Sequence, residues 1–176
     1  SVRLELLQEP SVKTTSDQLA HLDEQRPAAV VLDSDLDEML GEVCDYFSER
    51  GVPVIQLGHT VRQRDCEAAV VDNFGGGQLA GDYLIRRGHR RIGVIRWWPK
   101  DDPASAEKFA GFQCAIDRAG LTLPDPYVVE TAARTLEDQP LPGRVSALRL
   151  LNLPDPPTAM FVENSFVSPS LIYPNN

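Results

Sequence analysis

Short runs rich in Val, Ile and Leu alternate along this chain with stretches of helical spacing, and that alternation is its strongest constraint on fold. Residues 2–7 read as a strand, and residues 15–25 as a helix carrying Leu19 and Leu22. The run AAVVL at 28–32 is apolar throughout, as a strand covered on both faces requires. Residues 36–50 space Leu36, Met39, Leu40, Val43 and Phe47 at helical intervals, and Gly51 follows as the helix-ending residue. Strands are expected at 52–57 (VPVIQL) and 68–71, then a glycine-containing helix up to Gly88. The pattern continues with a strand at 91–95 (RIGVI), a helix at 105–119 closed by Gly120, a short strand at 127–130, a helix at 142–151 and a strand at 158–162 (TAMFV). Strands alternating with helices in this way imply an α/β fold of parallel sheets with helices on both faces. Ligands of such sheets lie beyond the carboxyl ends of the strands. Those ends hold Asp33 and Ser34, Gly58 and His59, Asp72 and Asn73, Arg96 to Trp98, and Glu163 to Ser165.

Charge and composition remove several function classes. The net charge is −9, from 26 acidic against 17 basic residues, which argues against a nucleic-acid grip by this chain. The basic cluster RRGHRR at 86–91 fits a solvated helix end, where cations meet the negative end of the helix dipole. Cys44, Cys66 and Cys114 are scattered and odd in number, so they read as free thiols in a reducing cytosol. His21, His59 and His89 show no metal-ligand spacing, and no run is apolar for long enough to span a membrane. The first residues, SVRLELLQEPSVK, carry charges inside their apolar stretch and do not form a secretory signal. No nucleophile, carboxylate pair or base constellation emerges, so no catalytic residue is expected.

The stretch VVDNFGGGQLAGDYLIRRGHRRIGVI at 70–95 poses a sharper question. Gly75, Gly77 and Ala80 satisfy the G-x-G-x-x-G/A dinucleotide fingerprint, and Arg96 at the end of the next strand could meet the 2′-phosphate of NADP. Against this, several strands precede the glycines, and Asp72 or Asn73 is a natural N-cap whose side chain would take the amides a pyrophosphate needs. The competing reading is that the glycines let a helix pack closely.

The longer pattern resembles the lactose/galactose repressor (LacI/GalR) family. VVDN, a helix with small residues, and LIRRGHRRIGVI are similar to that family's VDN, L-x-x-x-GH and R-I-x-x-I. KFAGFQCAIDRAGL at 108–121 is similar to its R-x-x-GF-x-x-A-x-x-x-AGL, and PPTAMFVENSF at 156–166 to its PTA-x-x-x-x-ND. RPAAVVLDS and RGVPVIQLG are similar to its third and fourth strands, so the likeness runs through nearly the whole chain in order.

The resemblance implies a two-lobed, type I periplasmic-binding-protein-like fold with a small ligand in the cleft between lobes. A first lobe is expected over 1–71, lacking the family's first strand and helix. A second is expected over 72–176, stopping in the helix after TAMFVEN, and the helix-turn-helix headpiece is expected to lie outside this chain. The implied function is effector sensing for a cytoplasmic, homodimeric transcriptional regulator that meets operator DNA only through that headpiece. The implied effector is a sugar or nucleoside-like molecule, with no metal and no cofactor. A transport-type sugar-binding protein of the same fold is the alternative, and an NADP-linked enzyme a more remote one; the unpaired cysteines and the wording GHRRIG favour the regulator. Carried over residue by residue, the ligand positions are Lys108, standing where the family has Arg, and Asn164, which keeps the first residue of ND. Lys108 lacks the planar fork of Arg and is equally at home as a solvated lysine. Asn164 suits hydroxyl groups or a helix cap. Asp33 and Ser34 line the site or serve their turn, and Trp97 and Trp98 stack on a ligand or pack at a rim.

Overall fold

The computed structural model describes residues 16–33, 37–58, 67–96, 102–131 and 140–163. The expected strand at 2–7, and Ser34, His59, Cys66, Trp97, Trp98 and Asn164, lie outside the described residues. The chain divides into two compact units, Ser1–Val71 and Asp72–Asn176.

In the first unit, helix α1 (Ser16–Glu24) leads to strand β1 (Val30–Asp33), helix α2 (Asp37–Ser48), and strands β2 (Val54–Gly58) and β3 (Glu67–Val70). The three strands are parallel in the order β1-β2-β3, with Val30 beside Val54 and Ile55 beside Glu67. The helical stripe of α2 supplies Val43, Cys44 and Phe47 to a core with Leu19, Leu32 and Val54. Gly51 takes φ +68°, and Val52 N–H donates to Phe47 O at 3.0 Å, so the helix closes in a left-handed turn that suits glycine. Arg50 then ties the two helices: its Nε lies 3.2 Å from Asp23 Oδ2 and its guanidinium 3.7 Å from the Tyr46 ring centre. The expectation that AAVVL is covered on both faces needs correction. Among the described residues α1 and α2 feed one core, on the face of Leu32, while Val31 is 56% exposed. Alternation along a strand sends neighbours to opposite faces, so an apolar run alone does not say that both are covered.

In the second unit, α3 (Asn73–Arg86), β4 (Ile92–Arg96), α4 (Pro103–Arg118), β5 (Val128–Glu130), α5 (Pro140–Leu151) and β6 (Ala159–Val162) follow in turn. A short 3-10 turn, Asp125–Tyr127, precedes β5, so the expected start of that strand at Tyr127 shifts by one residue. The strands are again parallel, but in the order β5-β4-β6. Here both faces are filled. Ile92 and Val94 meet Phe112 and Ile116 of α4, with Ala80, Leu84 and Ile85 of α3 packed alongside. Ile95 and Val129 meet Ala147 and Leu150 of α5 on the opposite face. Phe112 stacks on Phe161 of β6, centres 4.5 Å apart and planes within 5° of parallel.

The three glycines play three parts. Asp72 Oδ1 accepts from Gly75 N–H at 2.7 Å and caps α3. Gly76 faces open space. A side chain on Gly77 would sit 1.9 Å from Lys108 O, and one on Gly111 would sit 1.9 Å from Phe74 O. The two helices therefore touch backbone to backbone, as only glycine permits. Contacts recur at near-constant offset (Asn73 to Glu107, Gly77 to Lys108, Gly81 to Ala115, Asp82 to Arg118), so α3 and α4 run parallel and start at the same edge of the sheet.

Candidate effector site

The order β5-β4-β6 means that the chain leaves β4 for one neighbour and later returns to its other side, with α4 on one face and α5 on the other. In a parallel sheet wound this way, the crevice lies beyond the carboxyl ends of the strands at the point of reversal. In the second unit that point is the end of β4, which is Arg96. The first sheet, in the order β1-β2-β3, has no such reversal among its described strands.

Several polar residues gather at this edge. Thr131 follows β5, and its N–H donates to Arg96 O at 2.9 Å. Glu163 follows β6, and its N–H donates to Ile95 O at 3.1 Å. From α4 come Asp102, whose Oδ2 accepts from Ser105 N–H at 2.8 Å, and Ser105 itself. From α3 comes Asn73, whose Nδ2 donates to Glu107 Oε2 at 3.4 Å. The Arg96 guanidinium lies over the Phe109 ring, 4.3 Å from its centre. Ser105 precedes Phe109 by four residues and so shares its face of the helix. Ser105, Thr131, Asn73 and Glu163 are all buried. Buried hydroxyls normally have hydrogen-bond partners, yet Ser105 Oγ, Thr131 Oγ1 and Arg96 Nε have none among the described residues.

Of the residues singled out from sequence, Lys108 is half-buried on α4, one turn beyond Ser105, with its carbonyl against Gly77. Asp33 ends β1 in the first unit. Sequence reasoning missed Ser105 and Thr131. The strand-end rule that drew attention to Arg96 would have found Thr131 had it been applied to β5; no local signal marks Ser105 as buried.

The dinucleotide reading fails on geometry. The amide of Gly75 is held by Asp72, Gly76 N–H donates to Asp72 O at 2.9 Å, and the surface of Gly77 is covered by α4. A pyrophosphate at this helix start would meet a carboxylate in place of free amides.

The basic cluster sits at the other end of the sheet. Thr158 N–H and Oγ1 both reach Arg91 O, at 2.8 and 3.1 Å. With the Thr158 proton so used, His89 Nδ1 is the donor in its 3.0 Å contact with Thr158 Oγ1. Arg91 Nε lies 3.2 Å from Asp155 Oδ1. The GHRRI segment is thus a staple joining the start of β4 to the loop before β6. Among the described residues no helix is long and apolar enough to cross a membrane, and no group of three potential metal ligands occurs.

Comparison with known proteins agrees with this architecture. The chain is 35% identical over 113 residues to the HTH-type transcriptional repressor PurR of Escherichia coli O139:H28 (strain E24377A / ETEC), a match covering 64% of this chain and 31% of that repressor. A regulatory protein of the LacI family from Chloroflexus aggregans superposes with TM-score 0.67 at 24% identity, over 90% of this chain and 57% of that one. A sugar-binding transcriptional regulator of the LacI family from Escherichia coli, complexed with phosphate, gives TM-score 0.67 at 19% identity, over 89% and 54%. The chain thus spans about half the length of these solved relatives and less of the repressor. Residues 2–149 match the periplasmic binding proteins and sugar-binding domain of the LacI family, and the chain belongs to that family.

Proposed function

We propose that this chain is the effector-sensing part of a LacI-type transcriptional regulator, acting in the cytoplasm as a homodimer. The observation that carries this reading is the reversal of strand order at β4, with unpartnered buried polar atoms at its carboxyl edge, in a chain of this family. The two compact units supply the two lobes of the sensor. The effector is a sugar or nucleoside-like small molecule, and Lys108, Asp33, Ser34, Trp97, Trp98 and Asn164 are candidate contacts. Operator DNA is met by a headpiece outside this chain; the −9 charge of the chain supports that division of labour. The effector acts by binding one conformation more tightly than another, since only differential affinity shifts an equilibrium.

A thermal-shift screen of the full-length protein against neutral sugars, sugar acids, nucleosides and NADP(H) tests this. A ligand that binds only the folded state raises the melting temperature by mass action. A shift with a sugar, sugar acid or nucleoside, together with altered retention of operator DNA, is expected. A shift with NADP(H) alone would contradict the proposal.

A further inference from the structure

Helix α3 buries Asn73, Gly77 and Gly81, the two glycines against α4, and its opposite side faces solvent. Along that side, at helical spacing, stand Asp72, Gly76, Leu79, Tyr83 and Arg86, with Arg90 just past the helix end. Leu79 is 67% exposed and Tyr83 54%, and their spacing makes them neighbours on the helix surface. Single exposed apolar residues are ordinary; an adjoining pair on one helix face is the beginning of a contact surface. Gly76 carries no side chain and has open space around it, so a neighbouring backbone can come close there. The Arg87 guanidinium lies 5.9 Å from the Tyr83 ring centre. The two ends of the stripe are oppositely charged. Asp72 stands at the start, and Arg86, Arg87 and Arg90 at the finish, none of them paired with a carboxylate among the described residues.

Such a stripe is complementary to itself. Leu79 and Tyr83, Gly76 and Arg86, and Asp72 and Arg90 all share one midpoint, position 81. When a second α3 is laid antiparallel on the first, with a two-fold axis at that level, Leu79 of each copy meets Tyr83 of the other. Arg86 then lies over Gly76, and Arg90 reaches Asp72, whose cap uses only Oδ1. The antiparallel order also sets each helix start beside the other's end, which suits the helix dipoles. A parallel order would set Asp72 on Asp72 and arginine on arginine. Helix α5 makes the contrast: it exposes Val145 at 63% and Leu148 at 46%, but its only charges, Arg144 and Arg149, are of one sign, so two copies of it repel. We propose that the outward face of α3 is a self-association surface through which two copies of this chain meet antiparallel. This goes beyond the homodimer reading, which names no face, and holds whether α3 forms that dimer or joins dimers to one another. One helix pair is a small interface, of the class that associates transiently.

Sedimentation velocity of the full-length protein over a wide concentration range tests it. The wild type is expected to gain mass reversibly with concentration. Leu79→Asp combined with Tyr83→Asp is expected to weaken that step at least about tenfold, with the melting temperature unchanged because both positions are exposed. Arg90→Asp alone and Asp72→Arg alone each set like charges together and weaken the step as well. Mixed in equal amounts, these two variants are expected to associate again, since each copy then supplies the charge that the other has reversed. Asp72→Arg gives up the cap of α3, so its helix content is checked by circular dichroism; Asp72→Asn, which keeps a capping oxygen, carries the same loss in smaller measure. Three results would overturn the proposal: a wild type whose mass does not change with concentration, association unchanged in the Leu79 and Tyr83 double variant, or a folded charge-reversed pair that associates no better mixed than apart. A double variant that loses melting temperature while its association is unchanged would assign the face to another segment of the full-length protein, and overturns it too. The effector-sensing reading stands or falls separately, by the ligand screen above.

Discussion

Among the described residues the two units hold sheets of equal size and the same parallel sense, yet they differ in winding and in cover. The first advances in one direction, β1-β2-β3, and among described residues its helices feed a single face. The second reverses at β4 and is covered on both faces, so that Ile92 to Ile95 are all buried. AAVVL and RIGVI look alike in sequence, but one is half exposed and the other is the centre of a double core. Apolar content sets that a strand will form; strand order decides what covers it and where a crevice opens.

The largest expected effect follows from that difference. Phe112→Ala, in the stacked core of the second sheet, should cost about 3–5 kcal/mol in denaturant unfolding, whereas Val31→Ala should change stability by no more than about 0.5 kcal/mol. Equal costs would erase the distinction between the sheets. Next comes the helix pair. Gly77→Ala should destabilise by about 1–3 kcal/mol because the new methyl meets backbone, and Gly76→Ala should stabilise by up to about 1 kcal/mol through helix propensity. Effects of the same sign would show that the triplet acts by a common conformational need and not by close packing. Asp72→Ala should then cost about 0.5–2 kcal/mol as a lost cap. Smallest is Asp82→Ala, which breaks the 2.7 Å pair with Arg118; it should cost under about 1 kcal/mol, less still at high salt.

Much of this was legible in the residues. The helical spacing of Val43 and Phe47, the ending at Gly51 and the cap at Asp72 are local signals, and local geometry obeys them. The close approach at Gly77 was legible as one of two choices, decided only when Lys108 is brought against it from α4. The order β5-β4-β6 is not written in any segment, because pairing between strands depends on which faces helices cover. For the same reason the site was half visible: Arg96 stands at a strand end, but Ser105 and Thr131 are ordinary helix-start and loop residues until the fold buries them. Lys108 was chosen by likeness to a family arginine, a relation that no packing rule supplies, whereas the buried Nε of Arg96 becomes visible only once β4 is set against α4.

The central claim is that the carboxyl edge of the second sheet, at the reversal around β4, receives the effector. Amide hydrogen exchange of the full-length protein, with and without the compound giving the largest thermal shift, measures this most directly. The account predicts new protection at Arg96, across Asp102 to Lys108 and at Thr131, with the amino edge around His89 to Arg91 unchanged. Protection confined to Gly75 to Gly77, or to the His89 to Arg91 edge, would contradict it.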